Sequence, residues 1–188
     1  MAPQDEPLTV TSLDGPGAAA AAADFRRVYA DAFAEPPHCE TAEDVAAAFA
    51  RFPDLTRRPG FRATLARTAS GEPVGMAYGH PVPPDTPWWD ELTEPVPAAL
   101  RHEDGRRTFG LMELAVRAPW RGRGLAHRLH DTLLTPLTAE RVLLNVHPKS
   151  EAARAAYHAW GYTRVGQARL GGGPDLYDMM VRPVGGAR

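Results

Sequence analysis

Residues Glu113 to Ala126, Glu-Leu-Ala-Val-Arg-Ala-Pro-Trp-Arg-Gly-Arg-Gly-Leu-Ala, are where residue type and spacing point most clearly to chemistry. The pattern reads as a strand, a tight basic glycine loop and the start of a helix. The first turn of a helix carries about four N–H groups without intrahelical partners and roughly half a positive charge. Glycine lets that backbone approach an anion closely, so the stretch suits a phosphate or diphosphate. Arg121 and Arg123 add positive charge at the same point. The loop lacks the Gly-x-x-x-x-Gly-Lys-Ser/Thr of a Walker A motif, and Gly122-x-Gly124 lacks the third glycine of a dinucleotide fingerprint. A plain strand-to-helix turn with solvated arginines is the competing reading.

A second segment, Ser150 to Tyr162, sets Ala153, Ala156, Tyr157 and Trp160 on one helical stripe that Gly161 terminates. With both segments in view, Arg121-x-x-Gly124-x-Ala126 resembles the Arg/Gln-x-x-Gly-x-Gly/Ala signature of the GNAT superfamily of acyl-CoA-dependent N-acyltransferases. Ser150 to Tyr162 resembles that family's Asn-x-x-Ala-x-x-Leu-Tyr-x-x-x-Gly-Phe segment, and Asp178 to Arg182 looks like its last strand. The resemblance runs from Leu8 to the neighbourhood of Pro183. Three departures stand out. Ser150 replaces the usual asparagine, Ala156 replaces a bulkier residue, and the insert 81–107 is longer than a minimal member carries.

The resemblance implies acetyl-CoA as co-substrate and assigns its diphosphate to the loop amides of Arg121, Gly122, Arg123, Gly124, Leu125 and Ala126, with Ser150 as a further cofactor contact. It implies a bulge at Leu114, Ala115 and Val116, whose free backbone groups bind the pantetheine and the thioester oxygen. Tyr157 takes the position of the tyrosine whose hydroxyl faces the sulfur. A phenol (about 10) is a weaker acid than a thiol (about 8.5), so a hydrogen bond to the developing thiolate serves almost as well as full proton donation. The alternative is an aromatic packed on the stripe with Ala153 and Trp160. Glu113, three residues before Val116, is the first candidate to take the proton of the amine. It acts directly, through a water, or as an ionic anchor, and a solvated strand carboxylate is the equal alternative. His80 and His147 are weaker candidates. The histidines show no metal spacing, so no metal is expected.

The elements that must position these groups follow from periodicity. Leu8 to Leu13 reads as a strand, and Ala18 to Phe33 as one amphipathic helix closed by Glu35-Pro36-Pro37. Thr41 with Asp44 opens a second helix reaching Phe52. Residues 61–80 read as an antiparallel hairpin turning at Ser70-Gly71. The insert 81–107 is proline-rich, holds Trp88-Trp89 and four acids before Pro95, and is expected to carry one short helix near 97–103. Strand, helix, strand, helix and two strands complete an order β-α-α-β-β-(insert)-β-α-β-α-β-β. The implied fold is mixed α/β, a GNAT-like, mostly antiparallel sheet of about six to seven strands flanked by about four helices.

On the acceptor side, the resemblance places Phe33, Glu35, His38 and Cys39 with Trp88, Trp89, Asp90 and Glu91 near the amine. Aromatic pairs beside acids suit a cationic, partly apolar amine, and suit a dimer interface or a satellite core equally well. Phe33, Trp88 and Trp89 are the substrate-binding candidates. Cys39, alone, is read as a small buried hydrophobe rather than a nucleophile.

Composition sets the class. With 188 residues, 44% hydrophobic and 23% charged, the chain reads as one globular domain, 1–188, with a core over 8–183. A net charge of −2 argues against coating nucleic acid or a membrane. No run is apolar enough for a membrane span, residues 1–7 do not read as a signal peptide, and one cysteine excludes intramolecular disulfides. Only Lys149 among the 21 basic residues is lysine. The expectation is a cytoplasmic enzyme, monomer or homodimer, that moves an acetyl group from acetyl-CoA to the primary amine of a small molecule. Acetylation of a protein N-terminus or lysine, or a CoA-binding sensor without turnover, are the alternatives.

Overall fold

The computed structural model describes residues 7–184. The expectation for residues 1–7 falls, apart from Pro7, outside the described residues. Strand β1 (Leu8–Leu13) leads into helices α1 (Gly15–Ala20), α2 (Ala22–Phe33), α3 (Ala42–Ala50) and α4 (Phe52–Thr56). The hairpin β2 (Arg62–Thr68) and β3 (Pro73–Pro81) follows, then a 3-10 turn at Trp88–Glu91 and the short α5 (Ala98–Arg101). Strand β4 (Thr108–Val116), α6 (Leu125–Leu134), β5 (Arg141–Val146), α7 (Glu151–Ala159), β6 (Thr163–Ala168) and β7 (Tyr177–Pro183) complete the order.

The seven strands hydrogen-bond in the order β1-β2-β3-β4-β5-β7-β6. Strands β4 and β5 are parallel, and α6 is the crossover such a pair requires. Pairs β1–β2, β2–β3, β5–β7 and β6–β7 are antiparallel. The mixed, mostly antiparallel α/β fold expected from the sequence is the one observed.

Helix boundaries depart from the expectation. The single helix read over 18–33 is two, because Ala21 (φ −96°, ψ 14°) leaves helical geometry and its N–H reaches both Gly17 and Ala18 carbonyls. Asp14 starts the first piece by accepting from Gly17 N at 2.9 Å. The second expected helix divides at Arg51, with Pro53 in the opening turn of α4. Its start is as read: Asp44 N donates to Thr41 Oγ1 at 3.2 Å, and Thr41 N donates to Asp44 Oδ2 at 2.9 Å.

Two compact units divide the chain. The first comprises the chain up to His80 together with Met112–Leu137. Its core gathers Phe25, Val28 and Tyr29 of α2 with Phe52, Phe61, Leu65, Met76 and Tyr78. The rings of Phe25, Phe52 and Tyr78 meet at centroid separations of 5.4 to 6.1 Å. The second comprises Pro81–Leu111 and the chain from Thr138 on. Here Trp89 packs with Leu143, Ala168, Met179 and Val181.

A buried carboxylate ties the insert together beside this apolar packing. Glu103 Oε1 accepts from Trp89 Nε1 at 2.9 Å, Thr108 Oγ1 at 2.9 Å and Arg141 Nη2 at 2.8 Å. The Arg141 guanidinium also lies 5.1 Å from the Trp89 ring centroid and donates to the Leu100 carbonyl. Gly110 gives Trp88 its place: a Cβ at Gly110 would lie 2.6 Å from Trp88 Cζ3. An apparently structureless stretch is therefore pinned to β4 and β5 by polar contacts that hydrophobic periodicity does not register.

Candidate active site

In the first unit, β4 ends at Val116 and the chain turns through exposed residues Arg121 to Gly124 into α6. Gly124 is the N-cap, in the left-handed region at φ 72°, and Gly122 has φ 75°. No side chain caps α6 and no acid stands in its first turn, unlike α3, where Thr41 and Asp44 do both. A Cβ placed on Gly122 or Gly124 would meet no heavy atom within 4 Å. The backbone is thus bare, accessible and unneutralised at the positive end of the helix, a cradle that side chains at either glycine would fill. It fits a diphosphate. Buried Leu125 and Leu129 hold the helix in place behind it.

Of the loop arginines, Arg121 is engaged within the protein. Its Nε donates to the Val116 carbonyl at 2.8 Å, Nη1 to Glu35 Oε2 at 2.7 Å, and Nη2 to the Ala32 carbonyl at 3.2 Å. Arg117, which the sequence did not single out, is similarly held, 2.7 Å from Asp31 Oδ2 and 2.6 Å from Glu72 Oε1. Arg123 lies over the Trp120 ring at 5.3 Å and donates to the Pro119 carbonyl.

Glu113 stands on β4 in the same unit and keeps some solvent-accessible surface. Protein crowding around its carboxyl, with a further push from Glu40, raises its pKa to about 8. No side-chain hydrogen bond or ion pair satisfies it among the described residues. Glu40 itself titrates above the usual carboxylate range because it is desolvated, against the opposing hydrogen bond from Tyr29. Tyr29 and Tyr78 are pushed up mainly by burial and then by the Glu113 charge. Glu40, Tyr29 and Tyr78 were not site candidates in the sequence. Tyr29 falls on the core stripe of α2, and nothing around Glu40 marks it. Phe33 is half-buried, between Tyr29 at 4.5 Å and His38 at 4.7 Å between ring centroids. Leu114 is half-buried, and Ala115 and Val116 are buried.

The sequence profile of the acetyltransferase (GNAT) family matches residues 23–162. The chain belongs to that family. The GNAT fold is also that of solved structures at low identity. An acetyltransferase from Thermus thermophilus is 23% identical with a TM-score of 0.63, over 94% of this chain and 97% of that one. The ribosomal-protein-S18-alanine N-acetyltransferase from Escherichia coli is 16% identical with a TM-score of 0.62, over 97% of both. A spermidine N-acetyltransferase chimera of Vibrio cholerae SpeG and hSSAT is 13% identical with a TM-score of 0.57, over 94% of this chain and 95% of that one. Curated protein sequences contain no match.

The second GNAT segment lies in the second unit. Ser150 is the N-cap of α7 without a side-chain capping bond, its N–H spent on the His147 carbonyl at 2.8 Å. Tyr157 is buried on α7, its ring edge-on to Trp160 at 5.6 Å and to Tyr162 at 5.5 Å. Trp88 and Trp89 pack in the satellite core described above, and Cys39, read from the sequence as buried, is exposed. Among the described residues no group of three His, Cys, Asp or Glu side chains is placed to hold a metal. No helix among them is long and apolar enough to cross a membrane.

Proposed function

We propose that the protein transfers the acetyl group of acetyl-CoA to the primary amine of a small molecule, by direct attack in a ternary complex. The observation that carries this reading is the uncapped glycine start of α6, at the end of the strand that bears Glu113. Acetyl-CoA supplies an activated acyl thioester. The amides from Gly122 to Ala126 bind its diphosphate, and Ser150 adds a hydroxyl contact.

Glu113 takes the ammonium proton. With a pKa near 8 it is largely protonated at neutral pH while the site is empty. A cationic amine brought beside it restores the carboxylate, because an opposite charge favours the ionised form. The amine nitrogen then loses one proton to Glu113 and bonds to the acyl carbon as the carbon–sulfur bond breaks, and the second proton it sheds on becoming an amide passes to the departing thiolate. Tyr157 donates a hydrogen bond or a proton to the departing sulfur, a role that rests on its motif position.

The test is thiol release from acetyl-CoA across a panel of amines that includes polyamines, amino sugars, amino-acid derivatives and an N-terminal peptide. A small amine should accelerate release, and Tyr157→Phe should lower kcat more than acetyl-CoA affinity. Acceleration by the peptide alone would overturn the small-molecule reading, and no acceleration by any member would favour a sensor.

A further inference from the structure

The three bonds of Arg121 describe a joint. Val116 is the last residue of β4, Ala32 lies in the last turn of α2, and Glu35 begins the segment that leaves α2. Terminal carbonyls of a helix lack intrahelical partners. In α2 two of them are met from elsewhere: Phe33 by Glu40 N and Ala32 by Arg121 Nη2. Segment 34–40 is therefore fastened at both ends. Arg121 holds its beginning through Glu35, and the Glu40 N–H to Phe33 carbonyl bond (2.9 Å) and the Tyr29 hydroxyl hold its end. Between them Cys39 N donates to the Glu35 carbonyl at 3.2 Å.

The residue after Arg121 is Gly122, where the bare backbone of the cradle begins. An anion drawn onto those amides sets the backbone that carries the guanidinium. A planar five-donor fork pointing three ways transmits such a setting in a manner a flexible ammonium would not.

We propose that Arg121 is a positioning residue that couples the anion cradle at Gly122–Ala126 to segment 34–40, which carries Glu40. The inference rests on the acetyl-CoA reading above. Coupling of this kind is reciprocal, so whatever orders 34–40 tightens CoA by the same factor that CoA orders it. It also replaces the simpler role of Arg121 as a charge for the phosphates, since Glu35 already neutralises that guanidinium.

Residue-resolved hydrogen exchange on the whole protein, with and without saturating CoA, tests this. In wild type, CoA should slow exchange at Gly122–His127 and also at Cys39 and Glu40. In Glu35→Ala, the slowing at Gly122–His127 should persist and the slowing at Cys39 and Glu40 should be lost, with Tm within about 2 °C of wild type. The CoA affinity of Glu35→Ala should be unchanged or weaker. Exchange at Cys39 and Glu40 that ignores CoA in wild type, or responds equally in Glu35→Ala, overturns the coupling and leaves the acetyl-CoA reading standing. Tightening of CoA by more than about threefold in Glu35→Ala also overturns it, because it would mean that Glu35 merely competes with phosphate for Arg121. Failure of CoA to bind wild type at all takes down both.

Discussion

The Tyr29 hydroxyl donates to Glu40 Oε1 at 2.9 Å, while Glu40 Oε2 is buried with no hydrogen-bond partner among the described residues. Half-satisfied, this carboxylate sets part of the field felt by Glu113. Burial of Glu113 is the larger cause of its raised pKa, and Glu40 the smaller. Glu40→Gln should therefore move the rising limb of the kcat/KM profile from near pH 8 to lower pH, though not down to an ordinary carboxylate value. A limb that stays in place would remove Glu40 from the site's electrostatics.

Glu113→Gln should lower kcat about 10²- to 10⁴-fold and abolish that limb. A rate within about twofold of wild type would assign the proton to another group or to water.

The same group makes a thermodynamic prediction that needs no substrate. Glu113 is pushed up to about 8 when folded against an ordinary carboxyl value of 4.5, so between those values the folded chain holds a proton that the unfolded chain has released. Rising pH therefore costs stability across this window. Denaturant unfolding should show wild type losing stability relative to Glu113→Gln from pH 5 to pH 8. The reverse slope would mean that Glu113 is ionised and partnered at neutral pH.

The strand, loop and helix start that carry the candidate site were legible in the sequence, and the reason is local. A strand, a glycine loop and a helix start are consecutive in Val116 to Leu125, so spacing alone reports them. Capping of α3 by Thr41 and Asp44 is local in the same way. What escaped was non-local. The partners of Arg121 are 86 and 89 residues away in Glu35 and Ala32, so it read as a charge for an anion. Glu103 finds Arg141 across 38 residues, so the insert read as a loop with only the short helix near 97–103, observed as α5. The break at Ala21 escaped for the opposite reason, since an unbroken alanine run has no residue that signals a stop.

Trp89 separates a core role from an acceptor role. Trp89→Phe removes one of three donors to a buried carboxylate, which should cost about 1–3 kcal/mol and lower Tm by several degrees. The KM for the acceptor should stay the same. An unchanged Tm with a raised acceptor KM would return Trp89 to the amine pocket.

The central claim is that the bare turn at Gly122 and Gly124 receives the diphosphate of acetyl-CoA. Calorimetric titration of acetyl-CoA into wild type and Gly124→Asp tests it most directly. The added side chain has open space around it, so Tm should fall by only about 3–5 °C from the left-handed backbone. Wild type should give saturable heat and Gly124→Asp none, because the side chain fills the cradle and repels the anion. Equal binding by the two proteins would contradict the account.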